Sequence, residues 1–163
     1  MQHQSPFGLE QDTVFMRRAL QEAQKAFDCD EVPIGAIVVN AQGAVVASGY
    51  NEVERLHSQT AHAECRAIER AGQALLDWRL EGCWIYVTLE PCSLCMNLIV
   101  LSRLAGVVFG AQSPLFGYHL DNALSIELYK KSTLAIVSGV CQAEAKELLK
   151  QFFTKKRNHK EVV

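Results

Sequence analysis

Past an opening hairpin, the chain alternates short runs of strand character with segments of helical period, and that order limits the fold more than any other feature. Phe15, Met16, Ala19, Leu20, Ala23 and Phe27 recur at helical spacing over residues 13–27, with Asp12 placed to cap them. Ile34–Val39 and Ala44–Gly49 read as two strands joined by Asn40-Ala41-Gln42-Gly43. Thr60 is placed to cap a helix over 61–76, Trp84–Leu89 reads as a strand, and residues 92–102 return to helical spacing. A strand at Gly106–Phe109, a helix over 121–130, a strand at Leu134–Val137 and a last helix from about 141 complete the pattern. The order predicts an α/β fold. Its sheet is mostly parallel with helices on both faces, and the early hairpin adds one antiparallel pair. In such sheets active sites gather at the carboxyl ends of strands, where helices begin.

The length of 163 residues is that of one domain, and no repeat, low-complexity tract or linker divides it. Residues 1–163 are therefore expected to form a single domain, with 1–11 flexible and 141–157 a C-terminal helix with a basic end. The net charge of −2 excludes a general polyanion binder, so any contact with nucleic acid must come from a local patch. No apolar stretch approaches the roughly 20 residues of a membrane span, and Met1–Asp12 lacks the features of a signal peptide. The cytoplasm is the expected compartment, without a membrane partner. Six cysteines without an export signal read as metal ligands or small buried hydrophobes rather than disulfides.

Two short runs carry the chemistry: His62-Ala63-Glu64 at the start of one helix and Pro91-Cys92-Ser93-Leu94-Cys95 directly after a strand. Cys92 and Cys95 share one side of a helical turn, and a helix N-terminus favours their thiolate form. Pro91 suits a helix entry because it has no N–H to leave unpaired. Two thiolates and one imidazole make a three-ligand zinc set that leaves the fourth tetrahedral position open, as catalytic sites do. Such a set largely neutralises the metal, so a carboxylate is needed to move protons, and Glu64 is the candidate. Positions i and i+2 of a regular helix lie about 200° apart. His62 and Glu64 can therefore meet only if His62 sits in the loosely constrained first turn.

Other readings of these residues stay open at this point. C-x-x-C in an α/β setting can be a redox pair, which leaves His62 and Glu64 unexplained. A structural zinc site would recruit Cys65 as a fourth ligand, and a non-catalytic zinc module would have no use for Glu64. Cys65, Cys29, Cys83 and Cys141 are read as buried small residues. His3, His57, His119 and His159 are read as ordinary surface or loop residues.

With these motifs the sequence resembles the cytidine/deoxycytidylate deaminase superfamily, whose H-x-E…P-C-x-x-C signature is well described. Within it, the chain is most similar to the bacterial tRNA adenosine deaminases. The similarity runs through Glu31-Val32-Pro33-Ile34-Gly35-Ala36, Gly49-Tyr50-Asn51, Thr60–Glu64, Tyr86–Cys92, Ser102-Arg103, Val107–Ala111 and Phe152–Arg157. The resemblance implies a three-layer cytidine-deaminase-like fold with a central mixed, mostly parallel five-stranded sheet. It implies one zinc held by His62, Cys92 and Cys95, with Glu64 shuttling protons. Asn51, Ala63 and Ser113 would contact the base, and Lys155, Lys156 and Arg157 would contact RNA. The implied reaction is hydrolytic deamination of adenosine to inosine at the tRNA wobble position. The implied partners are a tRNA anticodon stem-loop and a second copy of the chain in a homodimer. The alternative is a deaminase of a free base, nucleoside or nucleotide such as guanine, cytidine or deoxycytidylate. One loop departs from the family: the usual Asp, Pro and Lys after Phe109-Gly110-Ala111 are replaced by Ser113-Pro114-Leu115 and then Phe116-Gly117-Tyr118-His119.

Overall fold

The asparagine-glycine turn expected between the first two strands is present, and the Asn40 side chain makes it. Its Oδ1 accepts the N–H groups of Gln42 (3.1 Å) and Ala44 (2.9 Å), while Gly43 takes the positive φ (80°) that closes the turn. The flanking strands are β1 (Gly35–Val39) and β2 (Val45–Tyr50). The protein is described from a computed structural model, which covers residues 5–122, 127, 129 and 132–160. Helix α1 (Gly8–Asp28) precedes the hairpin. After it come α2 (Val53–Leu56), α3 (Ala63–Leu75), β3 (Trp84–Leu89), α4 (Ser93–Leu101), β4 (Gly106–Ala111), a 3-10 turn (Tyr118–Leu120), β5 (Ala135–Ser138) and α5 (Gln142–Lys160). Of the helix expected over 121–130, residues 123–126, 128 and 130 lie outside the described residues; Glu127 and Tyr129 are helical.

The sheet has the order β2-β1-β3-β4-β5. β1 runs antiparallel to β2, and it is antiparallel to β3 as well, which the single expected antiparallel pair did not include. The reason lies in the crossover. Helix α3 carries the chain back to the end where β2 began, so β3 runs like β2 and takes the free edge of β1. β4 and β5 then add in parallel. Every strand but β1 therefore runs one way, and the carboxyl ends of β2, β3 and β4 share one edge of the sheet. That edge carries the site.

Helices cover both faces. On one, Ala67, Ile68 and Ala71 of α3 and Met96 and Ile99 of α4 pack against Val38, Ile85, Val87 and Val107. On the other, Phe15, Met16 and Ala19 of α1 meet Ile37, Val39, Tyr86 and Val108. α5 joins that layer through buried Ala145 and Phe152, with Phe152 edge-on to Phe27 at 5.7 Å. Asp12 does not cap α1, which starts earlier, at Gly8. Its buried carboxylate instead accepts Ser5 Oγ (2.5 Å) and Tyr86 Oη (2.6 Å), fastening the chain start to the middle of the sheet. Ser5–Gln11, part of the segment expected to be flexible, thus enters α1 through a buried hydrogen bond, while residues 1–4 lie outside the described residues. No described helix is long and apolar enough to cross a membrane.

Two glycines set how closely helices approach the hairpin. A Cβ at Gly35 would overlap the Ala19 carbonyl of α1, and one at Gly49 would lie 2.7 Å from the Ala63 carbonyl of α3. Backbone has no free rotamer with which to yield, so overpacking here is costly. Gly35→Ala is expected to lower unfolding free energy by about 3 kcal/mol. Urea denaturation with an unchanged m-value checks this.

Candidate metal centre and active site

Each chemistry-bearing run sits at a helix start, and in both cases the ligand is the capping residue itself. His62 is the N-cap of α3, with extended backbone (φ −68°, ψ 151°) and its carbonyl accepting Arg66 N–H at 3.0 Å. Thr60, the expected cap, lies outside the helix and exchanges a hydrogen bond with Ser58 (2.9 Å). Cys92 is the N-cap of α4 (φ −73°, ψ 171°), and Cys95 follows inside its first turn. An N-cap is not yet helical, so the 200° objection to His62 and Glu64 sharing a site does not apply. The backbone turns between them.

The three ligand atoms lie within 4.8 Å of one another. His62 Nδ1 is 3.3 Å from Cys95 Sγ and 3.6 Å from Cys92 Sγ. Zinc bonds of about 2.3 Å to sulfur and about 2.0 Å to nitrogen, meeting at the tetrahedral angle, place N and S about 3.5 Å apart. The residues fit zinc. Cys65 Sγ approaches Cys95 Sγ (3.9 Å) but is not part of the mutual cluster, so among the described residues the set has three members. One of the donors, Cys92, is already prepared as an anion. Hydrogen bonds from Cys95 and His62 pull the Cys92 thiol down to about 4 against its burial. The neighbouring sulfurs of Cys65 and Cys92, with burial, hold the Cys95 thiol up. The hydrogen bond to Cys92 raises His62. Of the other cysteines read as buried, Cys83 is buried, Cys65 and Cys141 are half-buried, and Cys29 is exposed just past the end of α1.

Glu64 is buried in the first turn of α3, and burial pushes its carboxyl up to about 7, with His62 pulling the other way. Such a group can hold or release a proton near neutral pH, as a general acid–base must. It lines, with His62 and Cys92, a cavity of about 1130 Å³ at the sheet edge. Asn51 and Ser113, at the ends of β2 and β4, line the same cavity. Ala63 does not; its side chain is packed in the core.

Two buried acids that spacing alone did not single out shape the walls. Glu31 accepts Asn51 Nδ2 (3.4 Å) and the N–H groups of Glu54 (3.3 Å) and Arg55 (2.7 Å), which fixes the Asn51 amide. Glu90 accepts the N–H groups of Ser113 (3.0 Å) and His119 (3.1 Å) and the His119 ring Nδ1 (2.8 Å). His119 is therefore not an ordinary loop residue: it is pinned beside the cavity by a carboxylate just ahead of Cys92. Behind the site, buried Glu52 ties α2 to α3. Burial opposes its charge, but Arg55 and Arg66 keep its carboxyl below the usual value. The three stand in loops that border strands, Glu31 before β1, Glu52 after β2 and Glu90 after β3, and no local spacing marks their partners.

The C-terminal helix forms the outer wall. Lys146, Leu149 and Phe153 recur at helical spacing along the cavity, and Arg157 continues that face. Lys155 instead lies over the Phe27 ring (5.2 Å), and Lys156 pairs with Asp30 and covers Phe152. Of the three basic residues expected at RNA, none lines the cavity; Arg157 stands one helical turn beyond Phe153 and donates to Thr154 Oγ1 at 3.2 Å.

An open three-ligand zinc set beside a buried carboxyl, on an α/β sheet edge, defines a zinc-dependent hydrolytic deaminase. Residues 9–111 match the model of the cytidine and deoxycytidylate deaminase zinc-binding region, and the chain belongs to that family. It is 43% identical over 152 residues to a tRNA-specific adenosine deaminase of Bacillus subtilis, covering 92% of this chain and 93% of that one. A solved structure from work on A-to-I editing by tRNA:A34 deaminases superposes with a TM-score of 0.75 at 38% identity, over 83% of this chain and 99% of the other. A guanine deaminase of Nitrosomonas europaea shares the fold (TM-score 0.78, 21% identity, 93% of this chain and 94% of that one).

Cys92→Ala or Cys95→Ala should each lose zinc and, because the metal ties α3 to α4, lower the melting temperature. Cys65→Ala should keep zinc at one per chain. Metal analysis of the purified variants, with calorimetry, reads both outcomes.

Proposed function

We propose that the protein deaminates adenosine to inosine at the wobble position of a tRNA, with the anticodon stem-loop as the part it holds. The observation that carries this reading is that the three-ligand set and Glu64 open on one broad cavity walled by a basic helix. The family and the similar relatives support it, and the cavity exceeds what one nucleoside would fill. Zinc, when bound by His62, Cys92 and Cys95, supplies a Lewis acid. Asn51, with its amide fixed by Glu31, offers both a donor and an acceptor to a base edge. Ser113 borders the base from the β4 side. Ala63 contributes through its backbone N–H, free of a helical partner at the first position of α3.

Glu64 takes a proton from the attacking water and passes it to N1 as oxygen adds to C6 and the C6–N1 double bond opens. It then moves the remaining hydroxyl proton to the amine as the C6–N6 bond breaks, so adenosine and water become inosine and ammonia. Its burial holds the carboxyl up to about 7, so it can both accept and return a proton near neutral pH. Outside the cavity, Arg157 extends the basic face of α5 toward the phosphates. Lys155 and Lys156 join it once Lys156 leaves Asp30. The compartment proposed with this reading is the cytoplasm. A homodimer would cover the face of α4 where Leu94 and Leu101 stand 49% and 70% exposed, one above the other.

Incubation of the zinc protein with a tRNA transcript and with free nucleosides and bases, followed by nucleoside analysis, tests the reading. Inosine is expected from the tRNA alone; ammonia released from a free base or nucleoside, without inosine in the tRNA, would replace it. Glu64→Gln should fold and hold zinc yet lose activity by about 10⁴-fold, since an amide cannot accept the proton. Near-normal turnover by that variant would remove Glu64 from the mechanism.

A further inference from the structure

The loop that departs from the family carries two large apolar side chains into solvent at the cavity rim. Leu115 and Phe116 are each 74% exposed, and both line the cavity that contains Glu64. The loop is well braced. Ser113 N–H is held on Glu90, Ser113 Oγ accepts Phe116 N–H (3.3 Å), and Ser113 O accepts Gly117 N–H (3.2 Å). Gly117 lies so close to the Glu90 carboxylate that a Cβ there would collide with it. Tyr118 N–H closes the loop on Pro91 O at 2.9 Å. The backbone thus holds the Phe116 ring away from the core, where it would otherwise gain by burial. Across the rim stand Phe153, 46% exposed, and the ammonium of Lys146.

An exposed apolar patch at a binding cleft marks a surface that is covered in use. Its place on the rim restricts what covers it, because a protein partner seated on Phe116 would close the cavity to substrate. A polynucleotide has to cross that rim whenever its target base is inside. We propose that Phe116 is a stacking platform for the nucleobase next to the target adenosine, with Lys146 meeting the phosphate between the two nucleotides. The platform rests on the polynucleotide reading given above. Aromatic rings bind single-stranded bases through their faces, without regard to sequence. A loop backbone already braced loses little freedom on binding, so only the ring itself has to be ordered on stacking. Ser113, whose hydroxyl positions the Phe116 amide, is then a positioning residue as well as part of the cavity wall.

The test uses an RNA hairpin with the target adenosine in its loop, and two copies of it in which the base on one or the other side is abasic. Phe116→Ala should raise KM for the intact hairpin about 5- to 100-fold with kcat within about twofold, and Phe116→Trp should restore it. On one of the abasic hairpins, wild type and Phe116→Ala should become equal. With 2-aminopurine at that position, binding should quench fluorescence for wild type and Phe116→Trp but not for Phe116→Ala. Lys146→Gln should flatten the salt dependence of KM by about one phosphate contact. An unchanged KM for Phe116→Ala, or the same loss on both abasic hairpins, overturns the platform. So does a shift of Phe116→Ala to a smaller oligomer on gel filtration, which would make the ring a contact between copies. A wild-type protein that makes no inosine from the hairpin overturns the substrate class and the platform with it, a failure distinct from one confined to Phe116.

Discussion

The structure depends on the meeting of two helix N-termini over one sheet edge. α3 and α4 each end in a capping residue that is also a metal donor, His62 and Cys92, held in extended backbone at the last residue before the helix. That placement does two things together. It aims free N–H groups and the positive ends of two helix dipoles at the donors, which favours thiolate. It also releases His62 from helical geometry, so that Glu64, two residues on, can face the same cavity. The uniform direction of β2, β3 and β4 then brings Asn51, Cys92 and Ser113 to that edge from three separate strands.

Buried carboxylates frame this centre, each with a different task. Glu31 and Glu90 accept backbone N–H groups and one side chain apiece, Asn51 and His119, and so brace the two side walls. Glu52 is bound into arginines behind the site and secures α2 to α3. Glu64 has burial and little compensation, which is why its proton is mobile. Four glutamates are thus separated by their surroundings into three bound anchors and one carboxyl raised to about 7.

Much of this was legible in the residues. Trp84–Leu89 is a strand over the expected residues because Trp84–Thr88 are all β-branched or aromatic and buried on both faces. The ligand triad was legible because donor type and spacing together admit few structures. The start of α1 was not: Asp12 has the chemistry of a cap, and only the fold shows Tyr86 taking its carboxylate. Nor was the second antiparallel edge of β1, which is set by where the α3 crossover lands and not by any local pattern. The partner of His119 was hidden for the same reason, since Glu90 lies 29 residues away and spacing carries no sign of it. The basic end of α5 was visible as composition, but the helical phase that turns Lys155 onto Phe27 and leaves Lys146 at the cavity needed the packing.

The central claim is that this chain builds a three-ligand metal site with a position left open for chemistry. X-ray absorption at the zinc edge on the purified protein addresses it most directly. The account predicts two sulfur neighbours at about 2.3 Å and two nitrogen or oxygen neighbours at about 2.0 Å. A third sulfur, which would have to be Cys65, would make the site closed and structural and would contradict it.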